Sequence, residues 1–434
     1  MKGLKDTLVS LTHLRQRFER LIASAAKRGR PVPAVSGRLD EVVGFGSNPG
    51  NLRMFTHVPR QVSAAPALVV ALHGCTQTAN VYDHGSGWSA LADDQGFVVV
   101  FPEQQRANNP NTCFNWFLPS DTQRGRGEAL SIYQMVERAI VDHGIDPGRV
   151  FIVGLSAGGA MASAMLAAYP EVFAGGAIVA GLPYGCAANV QEAFEAMARG
   201  RDQDAQTWGN LVRSASPHHG PWPKLSIWHG TSDTIVNPKN MEDSLRQWLD
   251  VHGLSARPRV EHELEGHSRR VWRNEDDEDV IEAIAIRGMD HGVPLATGQG
   301  PERCGNAGPF HIDVGLSSGH HIVRFLGIAG QPAAFEDRAS VAPLVPIALP
   351  QELPSLAARQ SARQDMSSGR AEHMRHAEDR DAGTGAYDPR PVIAAALKAA
   401  GLLGDHKTTG ATPDALDPRK VITATLRSVG LLKD

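Results

Sequence analysis

No window of about 18 uninterrupted apolar residues occurs in the 434-residue chain, so no stretch reads as a helix that would span a bilayer. Charge of one sign is not in excess either, with 43 lysines and arginines against 47 aspartates and glutamates. A net charge of −4 supplies neither the basic field that attracts nucleic acid nor the polybasic cluster that attracts an anionic membrane. Cysteine is scarce. Cys75, Cys113, Cys186 and Cys304 include no C-x-x-C pair, which argues against a structural zinc site, and no other motif calls for a metal or a cofactor. Residues 1–30 lack the apolar core and small-residue cleavage site of a secretory leader. A cytoplasmic location with reduced thiols is the resulting expectation.

What is present fits a globular enzyme of one large domain with extensions: 42% hydrophobic and 21% charged residues. In residues 1–30, Leu4, Leu8, Leu11, Phe18, Leu21, Ile22 and Ala25 recur at three and four between basic side chains. This predicts an amphipathic helix that docks on the domain, on another chain or on a membrane surface. Residues 36–330 read as the catalytic domain. Apolar strands at 67–72, 97–101, 150–153, 175–180, 223–230 and 280–286 alternate with helical stretches at 88–94, 127–143, 160–168, 239–252 and 317–328. That alternation predicts an α/β fold, a mostly parallel sheet with helices on both faces. A hairpin of 40–46 and 51–58 leads the sheet, 260–264 and 270–273 add strands, and 187–216 reads as a helical lid or cap.

From residue 331 the composition shifts to Pro, Ala, Ser, Arg and Asp, and residues 331–386 read as a flexible linker. Residues 387–434 hold two repeated short helices. Asp388-Pro389-Arg390 and Asp417-Pro418-Arg419 open matching segments that each close on Gly-Leu-Leu, at an offset of 29 residues. Each begins with an N-cap aspartate and N1 proline. Two such units cannot bury a core alone. They are either solvated accessories or a device that docks on a protein or a polymer granule.

The chemistry centres on Gly154-Leu155-Ser156-Ala157-Gly158, set between the apolar run Val150–Val153 and an Ala/Met-rich helix. In that context G-x-S-x-G is a nucleophile elbow. A serine raised on a strained strand-to-helix turn needs neighbours without a Cβ on either side, and the helix behind it offers free N–H groups to an oxyanion. Such a serine needs a base and an acid that orients the base, arriving in the order Ser, acid, His. Asp233, in the turn after 223–230, is the candidate acid, and Asp290 its rival. Of His252, His262, His267, His291, His311, His320 and His321, only His291 stands at the carboxyl end of a strand beside a loop glycine; His267 is the second choice. The oxyanion donors expected are the amides of Ala157 and of Cys75, in the loop after 67–72.

His73-Gly-Cys-Thr-Gln-Thr78, Cys113-Phe-Asn-Trp-Phe117, Gly154 to Met161, Gly181-Leu-Pro-Tyr-Gly-Cys186 and His229-Gly-Thr-Ser-Asp233 together resemble the poly(3-hydroxybutyrate) depolymerase family of esterases, relatives of feruloyl and acetylxylan esterases. The resemblance spans about residues 40 to 328. It implies an α/β-hydrolase fold, a triad of Ser156, Asp233 and His291, pairing of Cys75 with Cys113, and Trp116 near the acyl-binding groove. Asn115 and Trp222 complete the expected substrate contacts. The expected function is a serine carboxylesterase acting on short-chain hydroxyalkanoate esters through an acyl-enzyme, with ester oligomer or polymer as the binding partner. A feruloyl, acetylxylan or thioester substrate and a scaffold protein on a hydrolase fold are the alternatives. The chain shows no secretory leader and no dedicated substrate-binding domain, so soluble esters and oligomers are expected ahead of solid extracellular polymer, and an extracellular location is the alternative that the resemblance implies.

Overall fold

The computed structural model describes residues 38–300 and 302–328. All of them belong to the first of the two units into which the chain divides, Met1–Ala333 and Ala334–Asp434. The helix expected within residues 1–30, the linker 331–386 and the repeat helices of 387–434 lie outside the described residues.

The strands run β1 (Asp40–Val42), β2 (Arg53–His57), β3 (Leu68–Leu72), β4 (Val98–Glu103), β5 (Val150–Leu155), β6 (Gly175–Val179), β7 (Lys224–Gly230), β8 (Val260–Leu264), β9 (His267–Arg273) and β10 (Asp279–Ile286). They form one sheet in the order β1-β2-β4-β3-β5-β6-β7-β10-β9-β8. Its centre, from β4 through β3, β5, β6 and β7 to β10, is parallel. Antiparallel pairs flank it, β2 on β4 at one side and β9 on β10 at the other. Every residue of β3, β4, β5 and β6 is buried, as Val/Ile/Leu strands are when helices cover both faces of a sheet. Here the expected fold class holds.

The helices are α1 (Ala79–Ser86), α2 (Trp88–Gln95), α3 (Pro119–Thr122), α4 (Gly127–His143), α5 (Ala157–Ala168), α6 (Val190–Arg199), α7 (Ala205–Arg213), α8 (Lys239–Val251) and α9 (Ser318–Leu326). All twelve residues of α5 are buried, which explains a composition that is apolar all round rather than striped. Residues 187–216 resolve into α6 and α7, parted at Gly200, whose φ of 66° ends the first helix. Three features escaped the sequence reading, the four-residue α3 among them. α1 has little apolar contrast, yet Thr78 caps it and a left-handed Gly87 closes it. A parallel pair, β11 (Val293–Leu295) and β12 (His311–Asp313), forms a second small sheet; three-residue strands carry no readable period.

This topology positions the site. β3, β5, β7 and β10 point their carboxyl ends the same way, so the loops after Leu72, Leu155, Gly230 and Ile286 emerge on one edge. In an open α/β sheet that edge is where ligands bind.

Candidate active site

Ser156 sits between β5 and α5 at φ 58°, ψ −116°, a backbone region that costs a non-glycine residue about 1–3 kcal/mol. Its surroundings hold it there. The Ser156 N–H donates to Val179 O at 2.8 Å, tying the turn to β6. A Cβ on Gly154 would lie 2.1 Å from Gly158 O, and one on Gly158 would lie 2.3 Å from Leu72 O. The two glycines are thus required by backbone packed against backbone, which lets α5 start directly over the end of β3.

The loops bearing Asp233 and His291 are neighbours because β7 and β10 are, with Ile286 opposite Gly230. Thr231 N–H donates to Ile286 O at 2.9 Å, Ser232 N–H to Met289 O at 3.0 Å, and Gly288 N–H to Thr231 Oγ1 at 2.8 Å. These bonds bring His291 Nδ1 to 2.7 Å from Asp233 Oδ2. The other oxygen, Oδ1, accepts the Ile235 and Val236 N–H groups at 2.9 and 2.8 Å, and His229 Nε2 lies 3.2 Å from Oδ2. Burial alone would raise the Asp233 pKa, but the His291 and His229 imidazoles outweigh it and hold the carboxyl far below the usual range. Asp290 is otherwise engaged: its Oδ1 accepts from Thr234 N, Thr234 Oγ1 and His291 N at 3.2, 3.1 and 2.9 Å. That geometry staples the two loops and leaves the imidazole to Asp233. His267 opens β9, and its Nδ1 accepts the Arg287 N–H at 3.2 Å.

Ser156, Cys75 and His291 line one narrow cleft, with Phe310 beside them. The His291 and Phe310 rings meet edge to face at 6.0 Å. Ser156, Ala157 and Cys75 also border a cavity of about 260 Å³, lined by Trp116 and Phe117 and by Phe194 and Met197 of α6. The loop after β3 is braced: Gly74 N–H donates to Gln77 Oε1 at 2.8 Å, Thr76 N–H to Asn111 O at 2.7 Å, and Cys75 is bridged to Cys113. Among the described residues the Cys75 N–H has no hydrogen-bond acceptor, so it is available to a ligand.

Two expected substrate contacts lie elsewhere. Asn115 is buried and not among the residues lining the cavity, its backbone and side-chain amides both donating to Glu128. Trp222 packs on His218 and Trp248, with ring centroids at 5.0 and 6.5 Å. It lies two residues before β7, so it stands at the amino end of that strand while the cleft is at the carboxyl end. The reading also missed Phe194, Met197, Phe310 and His229. For α6 the signal was its amphipathic spacing, whose apolar face turns out to be the cavity wall. Phe310 gave none, because only the β11–β12 pairing brings it to His291. No group of three or more His, Cys, Asp or Glu side chains among the described residues could hold a metal ion.

A parallel sheet flanked by helices, a serine on a strained strand-to-helix turn and an imidazole on a buried aspartate define an α/β-hydrolase. The comparisons with known proteins narrow this. Residues 57–278 match the family model described as esterase PHB depolymerase, and the chain belongs to that family. It is 48% identical over 293 residues to poly(3-hydroxyalkanoate) depolymerase C of Paucimonas lemoignei, covering 67% of this chain and 70% of the relative. An acetylxylan esterase of Coprinopsis cinerea is 34% identical over 278 residues, 61% of this chain and 72% of the relative. Among solved structures, an acetyl xylan esterase from Aspergillus awamori aligns at TM-score 0.57 and 26% identity, over 68% of this chain and all of that one. The protein is accordingly a carboxylic ester hydrolase. No helix among the described residues is long and apolar enough to cross a membrane.

Proposed function

We propose that the protein is a serine carboxylesterase for short-chain hydroxyalkanoate esters, acting through an acyl-enzyme on Ser156. The observation that carries this reading is the opening of the apolar cavity directly onto Ser156 and Ala157, in a chain 48% identical to a poly(3-hydroxyalkanoate) depolymerase. In the reaction His291 Nε2 takes the Ser156 Oγ proton as the oxygen attacks the ester carbonyl. The N–H groups of Ala157 and Cys75 bind the oxyanion, a contribution of about 2.7–4 kcal/mol for each donor. Collapse breaks the bond to the alcohol, which leaves with the proton from His291. Water, deprotonated by the same imidazole, then attacks the acyl-enzyme and releases the hydroxy acid and free Ser156. Asp233 accepts the Nδ1–H throughout, which keeps Nε2 free to act as base.

A second reading, an acetylated or feruloylated carbohydrate substrate, is favoured by the acetylxylan esterase relatives. Turnover of 3-hydroxybutyrate oligomers, acetylated xylan and methyl ferulate by the same preparation separates the two; preference for xylan would replace the first reading. Ser156→Ala should abolish hydrolysis of p-nitrophenyl butyrate, and retained turnover would sink both.

The disulfide beside the nucleophile supports an oxidising compartment, in preference to the cytoplasm. For the outer segments we propose a helical arm in residues 1–30, a linker in 331–386 and an adsorption device in the repeats of 387–434. A variant ending at Gly330 should keep its rate on soluble esters and lose adsorption to polymer granules. Unchanged adsorption would exclude that role.

A further inference from the structure

Glu128, the second residue of α4, is an ionisable group close to the cavity for which the proposed mechanism has no use. It is 1% exposed and all its hydrogen bonds come from neutral amides. Oε2 accepts the Asn115 N–H at 2.8 Å. Oε1 accepts the Asn115 side-chain amide at 2.7 Å and the Gln104 side-chain amide at 2.5 Å. Burial pushes the carboxyl up to about 8, against the pull of these bonds and with Asp121 adding to the rise. A buried carboxyl with no cation among its hydrogen-bond partners is a poor choice for stability alone, so what it holds matters.

Both chains of contacts leaving Glu128 end at the cavity. Through Asn115 it fixes the backbone between Cys113 and Trp116, and Trp116 is a cavity wall. Through Gln104 it reaches the loop after β3. The Gln104 N–H donates to His73 Nε2 at 3.0 Å, so the imidazole proton is on Nδ1, where it donates to Gly74 O at 2.8 Å. Cys75 follows directly. Burial pushes His73 down to about 4, so the ring stays neutral and keeps this tautomer. The Cys75–Cys113 bridge joins the two chains of contacts into a closed ring.

We propose that Glu128 is a positioning residue for ester hydrolysis: its carboxylate sets the Cys75 amide at the oxyanion and the Trp116 wall at the acyl group while touching neither substrate nor Ser156. This rests on the reading of Ser156 as nucleophile and of the Cys75 N–H as oxyanion donor. Only the ionised carboxylate satisfies the ring, since three N–H donors and no acceptor face its oxygens, so the ring is complete above a pH of about 8. Glu128→Gln has the same shape but places an NH₂ against N–H donors. The neighbouring amides cannot turn over to accept it. Gln104 Oε1 already accepts from Gln105 N and Asn108 Nδ2, and Asn115 Oδ1 from Asn109 Nδ2.

The test compares E128Q with wild type at about pH 9, where Glu128 is ionised, on p-nitrophenyl acetate and with phenylboronic acid, whose tetrahedral serine adduct places an oxygen in the oxyanion site. The expected result is a kcat loss of about 10–100-fold, part of what a missing oxyanion donor costs, with KM within about twofold and boronate affinity falling in parallel. Gln104→Leu should reproduce the kcat and boronate losses. Asn115→Ala should raise KM for longer acyl chains instead. A folded E128Q with wild-type kcat and boronate affinity overturns the proposal, as does a change confined to KM. Should E128Q not fold, the other two variants decide, and equal effects from both overturn it. Ser156→Ala run alongside separates the failures: if it retains turnover, the nucleophile reading has failed instead.

Discussion

Asp233 Oδ2 and His291 Nδ1 meet at 2.7 Å, while Asp233 Oδ1 is saturated by two backbone N–H groups. This division of labour predicts the outcome of Asp233→Asn. The amide oxygen must take the Oδ1 place, because only an acceptor fits there, and the NH₂ is left facing His291. The imidazole then turns its unprotonated nitrogen to the amide and carries its proton on Nε2, toward Ser156, where it cannot act as base. A kcat loss of about four orders of magnitude is expected, the size found when a serine-hydrolase triad is locked in the wrong tautomer. Asp290→Asn should cost only a few-fold, since Asp290 binds backbone and Thr234. Rates on p-nitrophenyl butyrate check both; equal losses would move the acid role to Asp290.

The elbow glycines argue a second prediction. Gly158→Ala places a Cβ 2.3 Å from Leu72 O and 2.6 Å from His73 O. Both obstacles are backbone at the root of the loop after β3, so neither can swing aside. We expect a destabilisation of several kcal/mol, as for overpacking in a core, with loss of activity. Gly159→Ala, whose nearest contacts are at 3.0 Å, should be milder. Thermal melts of the two variants check the ranking, and an equally stable Gly158→Ala protein would contradict the packing argument.

The sheet and the elbow were legible because their signals are local: uninterrupted Val/Leu/Ile runs for β3, β4 and β5, and glycines where a Cβ cannot fit. The loops bearing Asp233 and His291 could be located for a related reason, since each follows a readable strand. What sequence reasoning could not supply is the burial of side chains in long loops. Asn115 and Trp222 look like substrate contacts because they are polar or aromatic and near motifs. Yet Asn115 is occupied by Glu128, and Trp222 precedes its strand rather than following it. Spacing does not specify connectivity, so the Cys75–Cys113 pairing is legible only from both segments lying near the site and from the family resemblance. Phe310 reaches His291 through strands of three residues, too short to leave a pattern.

The bridge carries a third prediction. Cys75 and Cys113 are 38 residues apart, and closing a loop of that order stabilises a fold by about 2–4 kcal/mol. It also anchors the loop that presents the Cys75 amide. Reduction with dithiothreitol should therefore lower the melting temperature and the esterase rate together, with both recovering on reoxidation. Cys186 and Cys304 are free, so denatured protein should show two reactive thiols before reduction and four after. Four thiols at the outset in air-oxidised protein would refute the bridge.

Acid stability follows from histidines kept neutral by burial. His73, His252 and His311 are each pushed from 6.5 down to about 4. Between those pH values the unfolded chain binds protons that the folded chain refuses, so stability falls as pH drops from 6.5 to 4, by up to about 3 kcal/mol for each ring. Glu128 works in the opposite sense. Its carboxyl is raised from 4.5 to about 8, so the native state is penalised as pH rises through that range and relieved as it falls. Over the shared window the net loss is that of about two histidines. Asp233 is depressed from 3.8; its contribution is intact above that value and is lost only in more acid solution. Urea midpoints at pH 7, 6, 5 and 4.5 should therefore decline steadily, with proton uptake on unfolding at pH 5. E128Q should steepen the decline by removing the opposing group, and His252→Gln should flatten it. A midpoint that does not move between pH 6.5 and 4.5 would mean that these imidazoles are not held neutral in the folded protein.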